Sequence, residues 1–272
     1  RSSSPCALVL LVAAACSSPA TKAPPEPNAD AAIARVTAGL RSGIAIKGDA
    51  PVTFSLAERM AHHKVPGVSI AVVDSGRIVW ARGFGLKESG TNDSVTATTI
   101  FQAASISKPV AATGMLRLVE EGKLALDTPV NDYLKSWKLP DNKFTEKEKV
   151  TLRRIVSHNA GLTVHGFPGY ASTDSVPTVP QLLDGAKPAN TAAVRVDTFP
   201  GAITRYSGGG ITIEQLAMTD VTGESFPALL KRLVLDPIGM TNSGYDQPLA
   251  APRTAQAAAG YRPDGKMVEG RW

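Results

Sequence analysis

Apolar and polar residues along this chain follow two rhythms. "GVSIAVVD" and "RIVWARGFG" are apolar runs joined at Asp74, Ser75 and Gly76. Asp and Gly at such a joint favour a tight turn, so the pattern predicts a β-hairpin. Elsewhere helical spacing dominates. "ADAAIARVTAGLRSGI" sets Ala32, Ile33, Val36 and Leu40 at that spacing, and "SLAERMAHH" predicts a second short helix starting at Ser55. From Ser105 to Glu121 the pattern predicts a longer helix, stopped by Gly122. Ile106, Val110, Ala111, Ala112, Met115, Leu116, Leu118 and Val119 cover most of its circumference, so its first turns are expected to be buried. Between Leu124 and Asp236, "TLRRIVSH", "TVPQLLDGA", "GITIEQLAMTDVTG" and "SFPALLKRLVLDPIGM" predict further helices separated by long loops.

Strands followed by a helix-rich middle suggest an α/β body with a helical part at about 122–240. A lone hairpin is marginal and needs more strands to make a sheet. No clear strand follows it; the chain turns toward one at Tyr261 and stops at Trp272, so C-terminal strands are expected to be missing. With arginine rather than methionine at position 1, the chain reads as a fragment at both ends.

The first 28 residues have a different character. Ala7 to Ala15 is an apolar run of signal-peptide length, too short to span a bilayer as a helix. Its "AAAC" ending resembles the lipobox of bacterial lipoproteins, with Ala13 where leucine is usual. That resemblance implies cleavage before Cys16 and lipidation of its thiol; a soluble secretory signal is the alternative. The expected organisation is therefore a leader over 1–16, a proline-rich tether over 17–28 and a folded body over 29–272. Such a protein would be periplasmic and lipid-anchored to a bacterial membrane.

Composition narrows the chemistry. The formal charge is +5, yet the basic residues are scattered, which argues for solubility rather than nucleic-acid binding. "KSWKLPDNKFTEKEKVTLRR" interleaves Lys135, Lys138, Lys143, Lys147 and Lys149 with Asp141, Glu146 and Glu148, as a solvated loop and helix surface does. Cys6 lies in the leader, leaving the mature chain no disulfide and no thiolate metal site. His62, His63 and His165 lack metal-ligand spacing with acidic partners, so no metal is expected. The glycines from Gly208 to Gly210 lack the Lys and Ser or Thr of a phosphate loop and read as flexibility before a helix; no cofactor is expected.

One pair of residues offers a reaction. In "SISK", Ser105 and Lys108 stand three apart and share a helix face, so the amine can reach the hydroxyl. Burial and a helix N-terminus favour a neutral amine, which could take the hydroxyl proton and activate Ser105 toward a carbonyl. Backbone N–H groups at the same helix start could hold the oxyanion. The structural alternative is that Ser105 or Ser107 merely caps the helix.

"SISK" opening an apolar helix, "SHNAGL" and "PGAITRYSGGG", in that order, resemble the serine β-lactamase and penicillin-binding protein superfamily. The nearest branch holds class C β-lactamases, DD-peptidases and related esterases. The likeness runs from about Pro66 to Met240, including "VPGVSIAVV" and "LVLDPIGM". It implies a β-lactamase-like α/β fold, an antiparallel sheet flanked by helices plus a helical domain. It casts Ser105 as the acylated nucleophile, Lys108 as its assistant, and Tyr206 as the proton-shuttling tyrosine of a Tyr-x-Asn motif. Gly208 stands where that motif has asparagine, at a substrate-binding position. His158 in "SHNAGL" fits a structural turn histidine. The third family motif, Lys or His followed by two small residues on a strand, is not found in residues 1–272, so the chain is expected to be poorly active by itself.

The resulting expectation is an exported serine hydrolase forming an acyl-enzyme on β-lactam or D-alanyl peptide carbonyls. A carboxylesterase of the same family is one alternative, and a non-catalytic penicillin or wall-peptide binding protein is another. The implied partners are a small-molecule or peptide substrate and, through the lipid, a membrane.

Overall fold

The computed structural model describes residues 29–171 and 173–269, so the expectations placed on the leader, the tether and Cys16 lie outside the described residues. Two compact units divide the chain, one ending at Ala57 and the other beginning at Glu58. In the first, α1 (Ala29–Ala38) is followed by β1 (Leu40–Arg41) and β2 (Thr53–Phe54), paired antiparallel. Leu40, expected on the helix, pairs instead with Phe54, because the chain leaves the helix at Gly39. The next helix, α2 (Leu56–His62), starts directly after Ser55.

The hairpin forms where the two apolar runs and their turn place it. β3 (Gly67–Asp74) and β4 (Arg77–Gly85) pair antiparallel with Asp74 opposite Arg77. Ser75 and Gly76 have φ of 49° and 72°, the two positive angles that a hairpin turn matched to strand twist requires. The register steps from Val72–Trp80 to Val73–Ile78, leaving Val79 as the extra residue of a bulge. Past Gly260 the expected new strand is a single bridge from Tyr261 to Met267.

Helices make the main core. α3 (Ser107–Glu120), α4 (Leu152–Val156), α5 (Val179–Asp184), α6 (Gly208–Thr222) and α7 (Phe226–Leu230) gather Met115, Leu118, Leu152, Ile155, Leu183, Ile213, Met218, Leu229 and Leu230. α6 packs against the other four. Each such buried side chain contributes about 1.5–3 kcal/mol relative to exposure, so the helical body is held chiefly by this cluster. Turn chemistry sets the ends: Thr178 and Gln181 form a capping box on α5, Ser207 caps α6, and Gly185 and Gly223 stop the two helices with positive φ. After α7 a π-helical turn, Lys231–Leu235, continues the chain, and α8 (Ala251–Thr254) is a single turn.

The mixed-charge stretch covers this core rather than standing clear of it. Its charges pair at the surface, Lys149 with Asp141 at 2.9 Å and Arg154 with Glu148 at 2.6 Å, while Trp137 and Leu139 are buried beneath. Among the described residues no helix is long and apolar enough to cross a membrane.

Candidate active site

The helix bearing "SISK" begins later than its pattern suggests. Ala104–Ile106 form a 3-10 turn, and α3 proper starts at Ser107 with no side-chain cap. Ser105 is thus released from capping. The residue before it, Ala104, has φ 44°, a left-handed conformation that costs a residue with a side chain energy and is tolerated where the surroundings enforce it. Tyr245 donates its hydroxyl to Ser107 O at 2.6 Å and ties down the start of α3.

Two groups converge on the serine. Lys108 Nζ donates to Ser105 Oγ at 3.0 Å, and the Tyr206 hydroxyl donates to the same oxygen at 2.9 Å. Lys108 Nζ also lies 5.1 Å from the centre of the Tyr206 ring. The Lys108 ammonium, first, and the Ser105 hydroxyl, second, hold the Tyr206 phenol below its ordinary value against the opposing effect of burial. A phenolate beside a cation can accept the serine proton, so the arrangement can do base chemistry.

The expected burial of this helix start is not found. Ser105 and Pro109 are exposed, Ile106 is 71% exposed, and Lys108 is half-buried. Apolar residues ring the helix in sequence, but only Ala111, Gly114, Met115 and Leu118 are fully buried, with Val110 and Val119 partly buried against the helical core. The burial expected around Lys108 is thus incomplete, while Lys108 and Tyr206 both contact Ser105 Oγ. The nearby N–H groups are also engaged: Ile106 donates to Ala103 O at 3.0 Å, and Ser107 donates to Ala104 O. These two are taken up by the turn rather than spare for an oxyanion.

Tyr206 is presented by a latched loop. Arg205 forms an ion pair with Asp197, its guanidinium donates to Gly161 O at 3.0 Å and Leu162 O at 3.2 Å, and its own N–H donates to His158 O at 2.7 Å. His158 accepts the Ser207 N–H at Nδ1, 3.3 Å, and lays its ring 4.4 Å from that of Tyr206. Burial first, then Lys108 and His165, push its pKa down, so it is a neutral prop for the tyrosine.

Gly208 contributes no side chain, and the space for one is taken. A Cβ there would stand 3.0 Å from His165 O and 3.3 Å from Gly166 Cα. The triple glycine is not flexible lead-in: Gly208, Gly209 and Gly210 are the buried first turn of α6, and a Cβ on Gly209 would meet Val194 at 2.7 Å. His165, which spacing set aside as a non-ligand, lies with its ring 4.9 Å from Tyr206. No sequence signal pointed to it. Among the described residues no cluster of His, Cys, Asp and Glu could hold a metal ion.

A family model named Beta-lactamase matches residues 55–272, and the chain belongs to that family. It is 27% identical over 211 residues to esterase EstB of Burkholderia gladioli, covering 75% of this chain and 52% of the esterase. It is 29% identical over 185 residues to penicillin-binding protein 4 of Amycolatopsis lactamdurans, covering 68% and 46% respectively. The octameric penicillin-binding protein homologue from Pyrococcus abyssi superposes with a TM-score of 0.61 at 27% identity, over 78% of this chain and 48% of that one. The chain spans about half the length of these relatives. The fold is β-lactamase-like, with helices and small antiparallel sheets.

Proposed function

We propose that this chain carries the acylating centre of a serine hydrolase, with Ser105 as nucleophile and a β-lactam or D-alanyl peptide as substrate. The observation that carries the proposal is the convergence of Lys108 and Tyr206 on one oxygen, Ser105 Oγ. In the reaction, Tyr206 as phenolate takes the Ser105 proton while Oγ bonds to the substrate carbonyl carbon. The same proton then goes to the departing nitrogen as the C–N bond breaks, leaving an ester on Ser105. Water, its proton taken by Tyr206, bonds to the acyl carbon; as the ester C–O bond breaks, Tyr206 passes that proton to Ser105 Oγ, which releases the acid and restores the serine and the phenolate. Lys108 stays cationic and steadies the phenolate.

A second reading, carboxylester hydrolysis by the same residues, is favoured by Gly208, which offers no side-chain amide to a substrate amide, and by the likeness to EstB. Incubating the protein with benzylpenicillin and with p-nitrophenyl butyrate separates the two. Penicilloate formation that depends on Ser105 supports the first; ester hydrolysis alone supports the second. Because residues 1–272 hold no third motif, slow turnover is part of the proposal. Tight reversible penicillin binding unaffected by Ser105→Ala would instead support a non-catalytic binding protein.

Export and anchoring belong to the same proposal and rest on the sequence of residues 1–28. Incorporation of labelled palmitate in a bacterial host, lost in Cys16→Ser, is the expected result; unlabelled protein in the periplasmic fraction points to a soluble secretory signal.

A further inference from the structure

The segment that delivers Ser105 is held at its ends and not in its middle. Residues 101–104 make no hydrogen bond to another segment among the described residues. A cavity of about 520 Å³ opens along the same stretch, with Ala103, Ala104, Ser107 and Tyr245 in its wall, so packing does not fix the turn on that side. Yet Ala104 keeps φ 44°, a conformation that an L-residue leaves unless its surroundings enforce it. The enforcement must come from the ends.

Both ends are gripped by one later stretch of chain. Asn242 donates its side-chain amide to Thr98 O at 2.6 Å, and Tyr245 donates its hydroxyl to Ser107 O at 2.6 Å. Between them, Ile100 donates to Gln256 O at 3.0 Å and accepts from Ala258 N at 2.9 Å. The gripping loop is itself braced: Arg253 donates to Asn242 O at 2.9 Å, and the Tyr245 ring meets Phe226 of α7 edge-on at 5.2 Å. We propose that Asn242 and Tyr245 are positioning residues for acylation, which by fixing Thr98 and Ser107 hold Ala104 in its left-handed conformation and Ser105 Oγ within reach of Lys108 and Tyr206. The inference rests on the acyl-enzyme reading and adds to it the residues that set the pose of its nucleophile.

The test follows covalent adduct formation with benzylpenicillin by intact mass, over a range of concentrations that separates the dissociation constant of the first complex from the acylation rate constant. Tyr245→Phe and Asn242→Ala each remove one hydrogen bond and should each slow acylation about tenfold, with the dissociation constant unchanged within about twofold. The pH midpoint of the rate should not move in Tyr245→Phe, because burial and Glu214 push that phenol up to about 12 and it does not titrate in the working range. Adding Ala104→Gly, which takes up a positive φ at no steric cost, should recover most of the loss in either variant and leave Tyr206→Phe as slow as before. A weaker first complex at unchanged acylation rate, a loss that Ala104→Gly does not recover, or no loss in either variant overturns the assignment while the acyl-enzyme reading stands. Failure of the wild type to form any adduct overturns both.

Discussion

The Tyr206 hydroxyl reaches Ser105 Oγ across 2.9 Å, although the two residues are 101 positions apart. One sits in a turn before α3 and the other just before α6, so the packing of these two helices sets the distance. Everything proposed about the chemistry depends on that juncture.

Removing the phenol should therefore cost more than removing a contact. Tyr206→Phe is expected to slow acylation of Ser105 by about 100- to 10,000-fold, the range for loss of a general base, with little change in melting temperature. The pH dependence gives the sign. If phenolate is the active form, the rate rises with pH through a midpoint below the ordinary tyrosine value of about 10, because Lys108 favours the charged form. Lys108→Met should move that limb to higher pH. A limb that stays in place in the variant would argue that Lys108 does not tune the phenol.

Glu214 predicts a stability effect away from the chemistry. It lies fully buried in α6, neither carboxyl oxygen has a hydrogen-bond partner among the described residues, and burial pushes its pKa up to about 8. Burial and the nearby Glu214 likewise push Tyr245 up to about 12, so its hydroxyl remains a donor to Ser107 O. With the folded pKa above the ordinary 4.5, the folded state binds the extra proton. Stability then falls as pH rises from about 4.5 to about 8, by an amount on the order of a few kcal/mol. Glu214→Met should abolish that difference between urea unfolding at pH 5 and at pH 8. Parallel pH curves for the two proteins would show the carboxyl to be less isolated than its surroundings imply.

Restoring an asparagine at position 208 should harm the fold. Its Cβ would crowd His165 O at 3.0 Å, so Gly208→Asn must displace the segment that carries Val164 and His165. A cost of about 1–3 kcal/mol is expected, as for overpacking, read as a lower urea midpoint. An unchanged midpoint would mean that the loop moves aside freely.

How legible these features were depends on how local they are. The hairpin is legible because the two apolar runs and the Ser75-Gly76 turn lie within one short segment, and the pairing of Ser105 with Lys108 because a separation of three along a helical turn brings them together. Burial at the same helix start is not legible, because apolar residues around a helix do not say which faces another element will cover. His165 is not legible for a related reason: it is brought to Tyr206 by contacts that Ser207, Gly208 and Gly209, distant in sequence, make with the carbonyls of Thr163, His165 and Val164. Glu214, between Ile213 and Gln215, carries no local mark of burial, because it is four other helices that close over α6.

The most direct test of the central claim is peptide-level mass spectrometry after brief exposure to a fluorescent penicillin. The account predicts one covalent acyl group on the peptide containing Ser105, absent in Ser105→Ala and formed much more slowly in Tyr206→Phe. An adduct on another residue, or one that persists in Ser105→Ala, would contradict it.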